Sequence, residues 1–275
     1  MDNHVPITVI VPTGNRVDLI EDCLQSVSWA DELLVVDSLS SDGTMEIAEK
    51  YADRILIHEY GYSARQKNWA IPQAKHEWVL IVDTDERISP ALAEEIRDVT
   101  NNPRNMDAFR LPRLNYMLGE PVRNGGDFPD YQIRLFRRDH CRYQDRRVHA
   151  HLSVDGAVGT LAEPIIHYAQ RSVNQVLGNL LLQMTDWEAE ERLRNYPRPF
   201  VGMYFTLLLR PFAAFLLRFF WKGGWRSGYR GLISSLIWAI YIAITYMKIW
   251  EKGLDLSDKW WQDDWQLFLK GHQTD

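Results

Sequence analysis

Cysteine is scarce in this chain. Cys23 and Cys141 are the only two in 275 residues, and they stand alone, so neither a disulfide framework nor a thiolate metal cluster fits, and a reducing compartment is expected. The opening Met1-Asp2-Asn3-His4 has no basic stretch followed by an apolar core, so no secretory signal is expected. G-x-G-x-x-G and G-x-x-x-x-G-K-[ST] are both missing, which removes the dinucleotide fingerprint and the P-loop. There is no internal repeat and no low-complexity tract. A net charge of -6 argues against general nucleic-acid binding. One absence is local. From Arg192 to Trp250 there are nine Lys and Arg but no Asp or Glu, which leaves the rest of the chain at about -15. Such asymmetry suggests a basic surface facing anionic lipid, attached to an acidic body.

What is present begins with 46% hydrophobic residues, ample for a core. The organising stretch is Trp78-Val79-Leu80-Ile81-Val82-Asp83-Thr84-Asp85-Glu86, an apolar run that stops at two carboxylates. It reads as a buried parallel strand. On a strand, positions i and i+2 point the same way, so Asp83 and Asp85 are expected to leave the sheet edge together, where open α/β sheets bind ligands. Two oxygen donors there suit Mg2+ or Mn2+, with water and phosphate completing the shell. Ile7–Val11 and Leu33–Asp37 read as further strands, ending in Pro12-Thr13-Gly14-Asn15-Arg16 and in a polar turn after Asp37. Arg54–His58 reads as a fourth. Helices are expected over Val17–Ser28, from about Thr44 to Tyr51, over Ser63–Ala74 with an interruption near Pro72, and over Pro90–Asn101. Strand and helix alternating at this spacing predict a parallel sheet with the ends at Asn15, Asp37 and Asp83/Asp85 on one edge.

Four ordered motifs, Val-Pro-Thr-Gly-Asn-Arg, Val-Val-Asp-Ser-Leu-Ser-Ser-Asp-Gly-Thr, Ala-Arg-Gln-Lys-Asn-Trp-Ala and Val-Asp-Thr-Asp-Glu, resemble those of family-two glycosyltransferases with the GT-A fold. Gly125 to Arg137 and Val148-His149 resemble, more narrowly, the branch containing lipopolysaccharide-core beta-glucosyltransferases. The resemblance spans roughly residues 6 to 250. It implies a mostly parallel mixed α/β sheet flanked by helices, and an inverting sugar transfer from a nucleotide-sugar, UDP-glucose being the leading donor. It implies that Pro12, Thr13, Asn15, Arg16 and Asp37 line the base and ribose, with Lys67, Asn68 and Arg65 near the diphosphate. Asp83 would meet ribose or metal, and Asp85 the metal. The chain departs from the pattern at Gly14, where a larger residue is common, and at Ala150, where similar proteins carry an acid after Val-His. The alternatives are a catalytically weak relative that binds nucleotide or glycan as a membrane-associated assembly factor, and a transferase to a polyprenyl phosphate.

An inverting transfer needs a carboxylate to take the acceptor proton. The candidates are Asp130, Asp127 and Asp145, with Asp130 favoured by its place in the matching motif. His149 and His151 share a face if Val148–Leu152 is a strand, and by the resemblance a His of this half can complete the metal shell. Asp107–Leu111 and Tyr131–Arg137 alternate as strands. Arg134, Arg137, Arg138, Arg142, Arg146 and Arg147 form a cluster that either receives an anionic acceptor or pairs with the acidic body. Ser172–Asn195 reads as a linking helix. Phe200–Trp221 is amphipathic and should kink at Pro211, and residues 223–228 form a hinge. Gly231–Met247 is 17 uncharged residues, about 25 Å as a helix against a hydrocarbon core of roughly 30 Å. The expectation is a helical hairpin in the cytoplasmic leaflet of the plasma membrane, peripheral or monotopic. A single span and a soluble or oligomer-forming helix pair are the alternatives. The divisions are a catalytic domain over 1–170, a basic membrane-associating region over 171–250 and a Trp-rich tail over 251–275. The acceptor is expected to be a glycan or a lipid-linked sugar.

Overall fold

The computed structural model of the chain describes residues 4–148, 150–195, 203–254 and 262. The chain divides into two compact units, Met1–Gln175 with Leu217–Ser235, and Val176–Leu216 with Leu236–Asp275.

In the first unit β1 (Ile7–Thr13) pairs in parallel with β2 (Glu32–Asp37), and β2 with β3 (Arg54–Ile57). On its other side β1 pairs in parallel with β4 (Trp78–Ile81). Ile7, Val9, Val11, Leu33, Val35 and Leu80 face one way, against α1 (Ile20–Ser26) and α4 (Pro90–Asn101). Ile10, Leu34, Val36, Val79 and Ile81 face the other way, toward α3 (Ser63–Ala70). Both faces are covered, which is why these strands are unbroken apolar runs rather than alternating ones. The first helix is shorter than its sequence pattern because residues 17–19 form a turn, with the N–H groups of Leu19 and Ile20 donating to the Arg16 carbonyl. The second, α2 (Thr44–Ala48), starts where Asp42 accepts from the Thr44 N–H and hydroxyl. α3 gives way to a 3-10 turn, Ile71–Gln73, that carries Pro72. α4 starts at Pro90, and Ser89 caps it by accepting from the Leu92 N–H.

The sheet continues as β4-β8-β6-β12-β5. β8 (Asp130–Arg137) is antiparallel to both β4 and β6 (Ala108–Met117), and β12 (Ile165–Gln170) is parallel to β6. The short β5 (Glu86–Arg87) returns antiparallel to β12, while β7 (Glu120–Pro121) and β11 (Val158–Thr160) pair with β6. A separate hairpin joins β9 (Cys141–Tyr143) to β10 (Leu152–Val154). The architecture is the expected α/β one, a mostly parallel mixed sheet flanked by helices. Two local expectations fail. β4 stops at Ile81, so Asp83 and Asp85 sit on a turn and strand alternation does not orient them. Val148, Ala150 and His151 lie in no strand; pairing begins at Leu152. His149 lies outside the described residues.

The linking helix is one helical stretch, α5 (Val173–Gln175), a π-helical segment Val176–Met184 and α6 (Thr185–Asn195). In the second unit Lys252 pairs with Asp186 and Glu190, at 3.1 and 3.2 Å. α7 (Met203–Leu216) continues through Pro211, and a π turn follows over Leu217–Trp221. Gly223 (φ 72°) and Gly228 (φ 58°) take the left-handed backbone that the hinge requires. α8 (Gly228–Gly253) is 26 residues, about 39 Å. It outruns the 17-residue uncharged segment, and residues 224–253 are long and apolar enough to cross a membrane by length and composition. The tail with Trp260, Trp261 and Trp265 lies outside the described residues.

Candidate active site

The parallel register sets Thr13 beside Asp37 and Ile10 beside Ile81, so the segments after β1, β2 and β4 emerge at one edge. Thr13 is buried and its hydroxyl has no hydrogen-bond partner. Pro12 is half-buried and Arg16 exposed. Asn15 takes φ 51° and accepts from the Ser41 N–H at 2.9 Å, while its own N–H donates to Ser40 Oγ at 2.8 Å. Asp37 is buried and accepts from the Ser40 N–H and hydroxyl, at 2.9 and 2.5 Å. The two turns are therefore laced together. A Cβ at position 14 would stand 3.1 Å from Ser38 Cβ, so the glycine there follows from how tightly the turns meet.

Asp83 anchors a run of alternating charges. Lys67 Nζ, buried on α3, lies 2.7 Å from Asp83 Oδ1, and Arg134 Nη2 lies 2.7 Å from Oδ2. The same Arg134 nitrogen reaches Glu86 Oε1 at 2.8 Å, and Arg113 Nη1 stands 3.8 Å from that oxygen. Glu86 is fully buried and also accepts from the Asp83 N–H at 3.0 Å, which closes the turn. Arg113 then holds Asp130 through Nε and Nη2, at 2.9 and 2.6 Å. Lys67, Asp83, Arg134, Glu86, Arg113 and Asp130 thus form a chain of three cations and three anions from α3 to β8. Burial pushes the Asp83 carboxyl up, but Arg134 and Lys67 outweigh it and hold it well below the usual carboxylate range. Burial likewise disfavours the Arg134 cation, and Asp83 and Glu86 reverse that and raise its pKa.

Asp85 has a different neighbour. His167 Nε2, on β12, lies 3.6 Å from Asp85 Oδ2. Burial raises the Asp85 carboxyl and His167 more than offsets this, leaving it below its ordinary value. His167 Nδ1 meets Asn115 Oδ1 at 2.7 Å, and Asn115 Nδ2 donates to the Asp127 carbonyl at 3.0 Å. The second contact fixes which end of the Asn115 amide is oxygen, so Nδ1 carries a ring proton and Nε2 is the nitrogen turned toward Asp85. One carboxylate oxygen and one imidazole nitrogen facing each other fit a borderline divalent ion such as Mn2+. No group of three or more His, Cys, Asp or Glu able to hold a metal occurs among the described residues. An ion here would take its other ligands from phosphate and water.

The remaining candidates are spread out. Asp130 is half-buried; burial raises its carboxyl and Arg113 overrides this, holding it below the usual range. Asp127 pairs with Arg218 and Ser234. Asp145 is exposed and accepts from the Tyr62 hydroxyl. Arg65 is exposed on α3. Both ends of the Asn68 amide are engaged by the Tyr143 backbone, at 2.8 and 2.9 Å, so it ties α3 to β9. The arginine cluster divides. Arg134 is buried in the charge chain, Arg137 pairs with Glu77 and lies over the Trp78 ring, and Arg138 pairs with Asp139. Glu86, Arg113, Asn115 and His167 escaped the sequence reading. Glu86 stood inside the quoted motif; the others carry no motif and become visible only through sheet pairing. An open groove of about 950 Å³ beside His4, Trp29 and Arg97 contains none of these groups.

A family model described as glycosyl transferase family 2 matches residues 8–151. The chain is 25% identical over 258 residues to the lipopolysaccharide core biosynthesis glycosyltransferase LpsC of Rhizobium meliloti, covering 90% of this chain and 93% of that protein. It is 25% identical over 269 residues to an uncharacterized glycosyltransferase of Rickettsia bellii, covering 91% and 88%. Among solved structures, the mannosyltransferase PcManGT of Pyrobaculum calidifontis, in complex with GDP-Man and Mn2+, aligns with a TM-score of 0.53 at 15% identity, over 90% of this chain and 87% of that one. That likeness is one of fold.

Proposed function

The chain belongs to glycosyl transferase family 2, and from that premise we propose that it moves a sugar, with inversion and metal assistance, from a nucleotide-sugar to a hydroxyl of a lipid-linked or lipopolysaccharide-core glycan. It is a glycosyltransferase; the donor, acceptor and mechanism are our reading. One observation carries it: the ends of three parallel strands bring Thr13 and Asn15, Asp37, and Asp83 with Asp85 to one edge of the sheet. UDP-glucose is the first donor to test.

Pro12, Thr13, Asn15, Arg16 and Asp37 line the base and ribose in this reading, and the unpartnered Thr13 hydroxyl is a ready donor or acceptor for them. Arg65 and Lys67 supply positive charge on the diphosphate side, and Asn68 acts by holding β9 in place. Asp83, already bound by Lys67 and Arg134, meets ribose hydroxyls or the outer shell of the ion. Asp85 and His167 would hold a Mg2+ or Mn2+ ion, which when bound would supply positive charge to offset that developing on the leaving nucleoside diphosphate. Asp130 stays ionised at neutral pH and takes the acceptor hydroxyl proton as the new bond to the sugar carbon forms and the bond to the diphosphate breaks. Residues 1–170 do this chemistry. The basic, apolar 171–250 region keeps the enzyme at the cytoplasmic face of the plasma membrane, peripheral or monotopic.

The test is a panel of nucleotide-sugars with and without Mn2+, read by thermal shift, followed by donor hydrolysis and transfer with Asp85→Ala. Unchanged turnover in that variant removes the metal role. The pairing of Asp130 with Arg113 favours one second reading. A phosphate acceptor, as in transfer to a polyprenyl phosphate, needs little help from a base, and an acceptor screen separates the two.

A further inference from the structure

Asp127 has no role in the chemistry above, yet it is the best-tied residue of the loop that leads to Asp130. Its Oδ1 lies 2.5 Å from Arg218 Nη2, and its Oδ2 accepts from Ser234 Oγ at 2.8 Å. The Gly125 N–H donates to the Lys222 carbonyl at 3.0 Å, and Asn124 Nδ2 to Ser227 Oγ at 3.1 Å. Gly125 and Gly126 take φ values of 82° and 86°, and a Cβ on Gly126 would stand 2.9 Å from Lys222 Cδ. The loop is thus moulded against residues 218–234. Its inner side reaches the chemistry through Asn115 and His167, and three residues further along the chain stands Asp130.

The outer side of the same segment is apolar and aromatic. Trp221 is 86% exposed, Tyr229 85% and Trp225 55%, with Arg226 lying over the Trp225 ring. Lys222 and Arg226 are exposed among them, and no Asp or Glu occurs between residues 192 and 250. Large aromatics raised into solvent mark an interaction surface. Tryptophan and tyrosine settle at the headgroup level of a bilayer, and an acid-free basic margin is complementary to anionic lipid.

We propose that residues 217–229 dock on an anionic lipid bilayer and that the Asp127 clasp passes that docking to the 124–130 loop, setting the position of Asp130. The inference rests on the glycosyltransferase reading only for what the loop does, not for whether docking and loop are coupled.

The experiment uses the full chain with vesicles of phosphatidylglycerol and phosphatidylcholine, read by co-sedimentation and by hydrogen exchange of the 124–130 amides. Mixed anionic vesicles should bind at least about tenfold more tightly than pure phosphatidylcholine. Trp221→Ser with Tyr229→Ser should abolish most of that binding. Vesicle binding should slow exchange in the loop severalfold. Ser234→Ala should bind vesicles as the parent does and lose most of that slowing, and Asn124→Ala serves if Ser234→Ala does not fold. Equal binding by the aromatic variant, loop exchange that ignores vesicles, or a dimer buried on this face would each overturn the proposal. A chain that hydrolyses no nucleotide-sugar, yet couples loop exchange to vesicles, would sink the transferase chemistry and leave the docking intact.

Discussion

The two sides of the candidate site are held in different ways. On the donor side the groups sit at the ends of strands buried on both faces, and Asp83 is fixed by a lysine from α3 and an arginine from β8. On the acceptor side Asp130 opens a strand, and the loop before it is held by Arg218 and Ser234, far along the chain. In the proposed reading, donor geometry is therefore built into the sheet core and acceptor geometry depends on a segment that also faces the surroundings. With a soluble donor and a lipid-tied acceptor, as proposed, this division would place adjustability on the side toward the proposed membrane.

The strongest way to break the comparison is Asp85→Asn. If the donor side works through an ion at Asp85 and His167, turnover should fall on the order of 1000-fold, because transition-state stabilisation by a metal is worth several kcal/mol. The fold should survive, and Mn2+ should no longer raise the melting temperature in the presence of a nucleotide-sugar. Next comes Asp83→Asn. It leaves the buried Lys67 without its carboxylate, and such a loss costs about 3 kcal/mol in urea unfolding at neutral pH. The Asp83 pKa is depressed in the folded state, so its contribution is complete above the unfolded value of about 4 and is lost as pH falls through the folded one. The gap between parent and variant should therefore be constant near neutrality and narrow below about pH 4. A gap that widens in acid would mean that Arg134 and Lys67 do not hold Asp83 as described.

Asp130→Asn tests the acceptor side. A general base contributes about 100-fold or more, so kcat should drop by that much with KM little changed. The carboxyl is held low by Arg113, so the acid limb of the parent's kcat/KM profile should fall below the ordinary carboxylate range, and the variant should lack it. Asp145→Asn is the control, expected within threefold of the parent. If Asp145 carries the loss instead, the acceptor chemistry moves to the β9 side. If neither does, a phosphate acceptor becomes the better reading.

The same division explains what could be read from the sequence. β1, β2 and β4 announced themselves because burial on both faces forces continuous apolar runs, and their polar ends followed from that. Pro72 and Pro90 placed a break and a helix start correctly because proline acts through its own ring. Beyond residue 102 the strands are antiparallel or amphipathic, and charged side chains point inward. Arg134 sat among five other arginines with no local mark; its burial depends on Asp83 and Glu86, about fifty positions away. His167 stands in a strand whose partner, β6, begins nearly sixty residues earlier. Strand alternation was the wrong guide to Asp83 and Asp85, since β4 ends at Ile81 and a turn closed by Glu86 follows, with Asp83 held by Lys67 and Arg134 and Asp85 facing His167.

The smallest effects separate the two sides most cleanly, because they leave the chemistry untouched. Ser89→Ala removes the cap of α4, behind the donor edge, and should cost about 1 kcal/mol of stability. A donor edge fixed by the sheet should ignore it, and kcat/KM should stay within twofold of the parent. Asn124→Ala removes a single bond, 3.1 Å to Ser227, and should cost about 0.5–1 kcal/mol. Here the loop loses one of its ties, and turnover on a lipid-bound acceptor should fall by about threefold, while hydrolysis of the soluble donor should hold steady. Two variants of nearly equal stability cost would then differ in activity according to side. If both were silent, or both slowed the enzyme alike, the loop would be as rigid as the sheet and the contrast between the two sides would collapse.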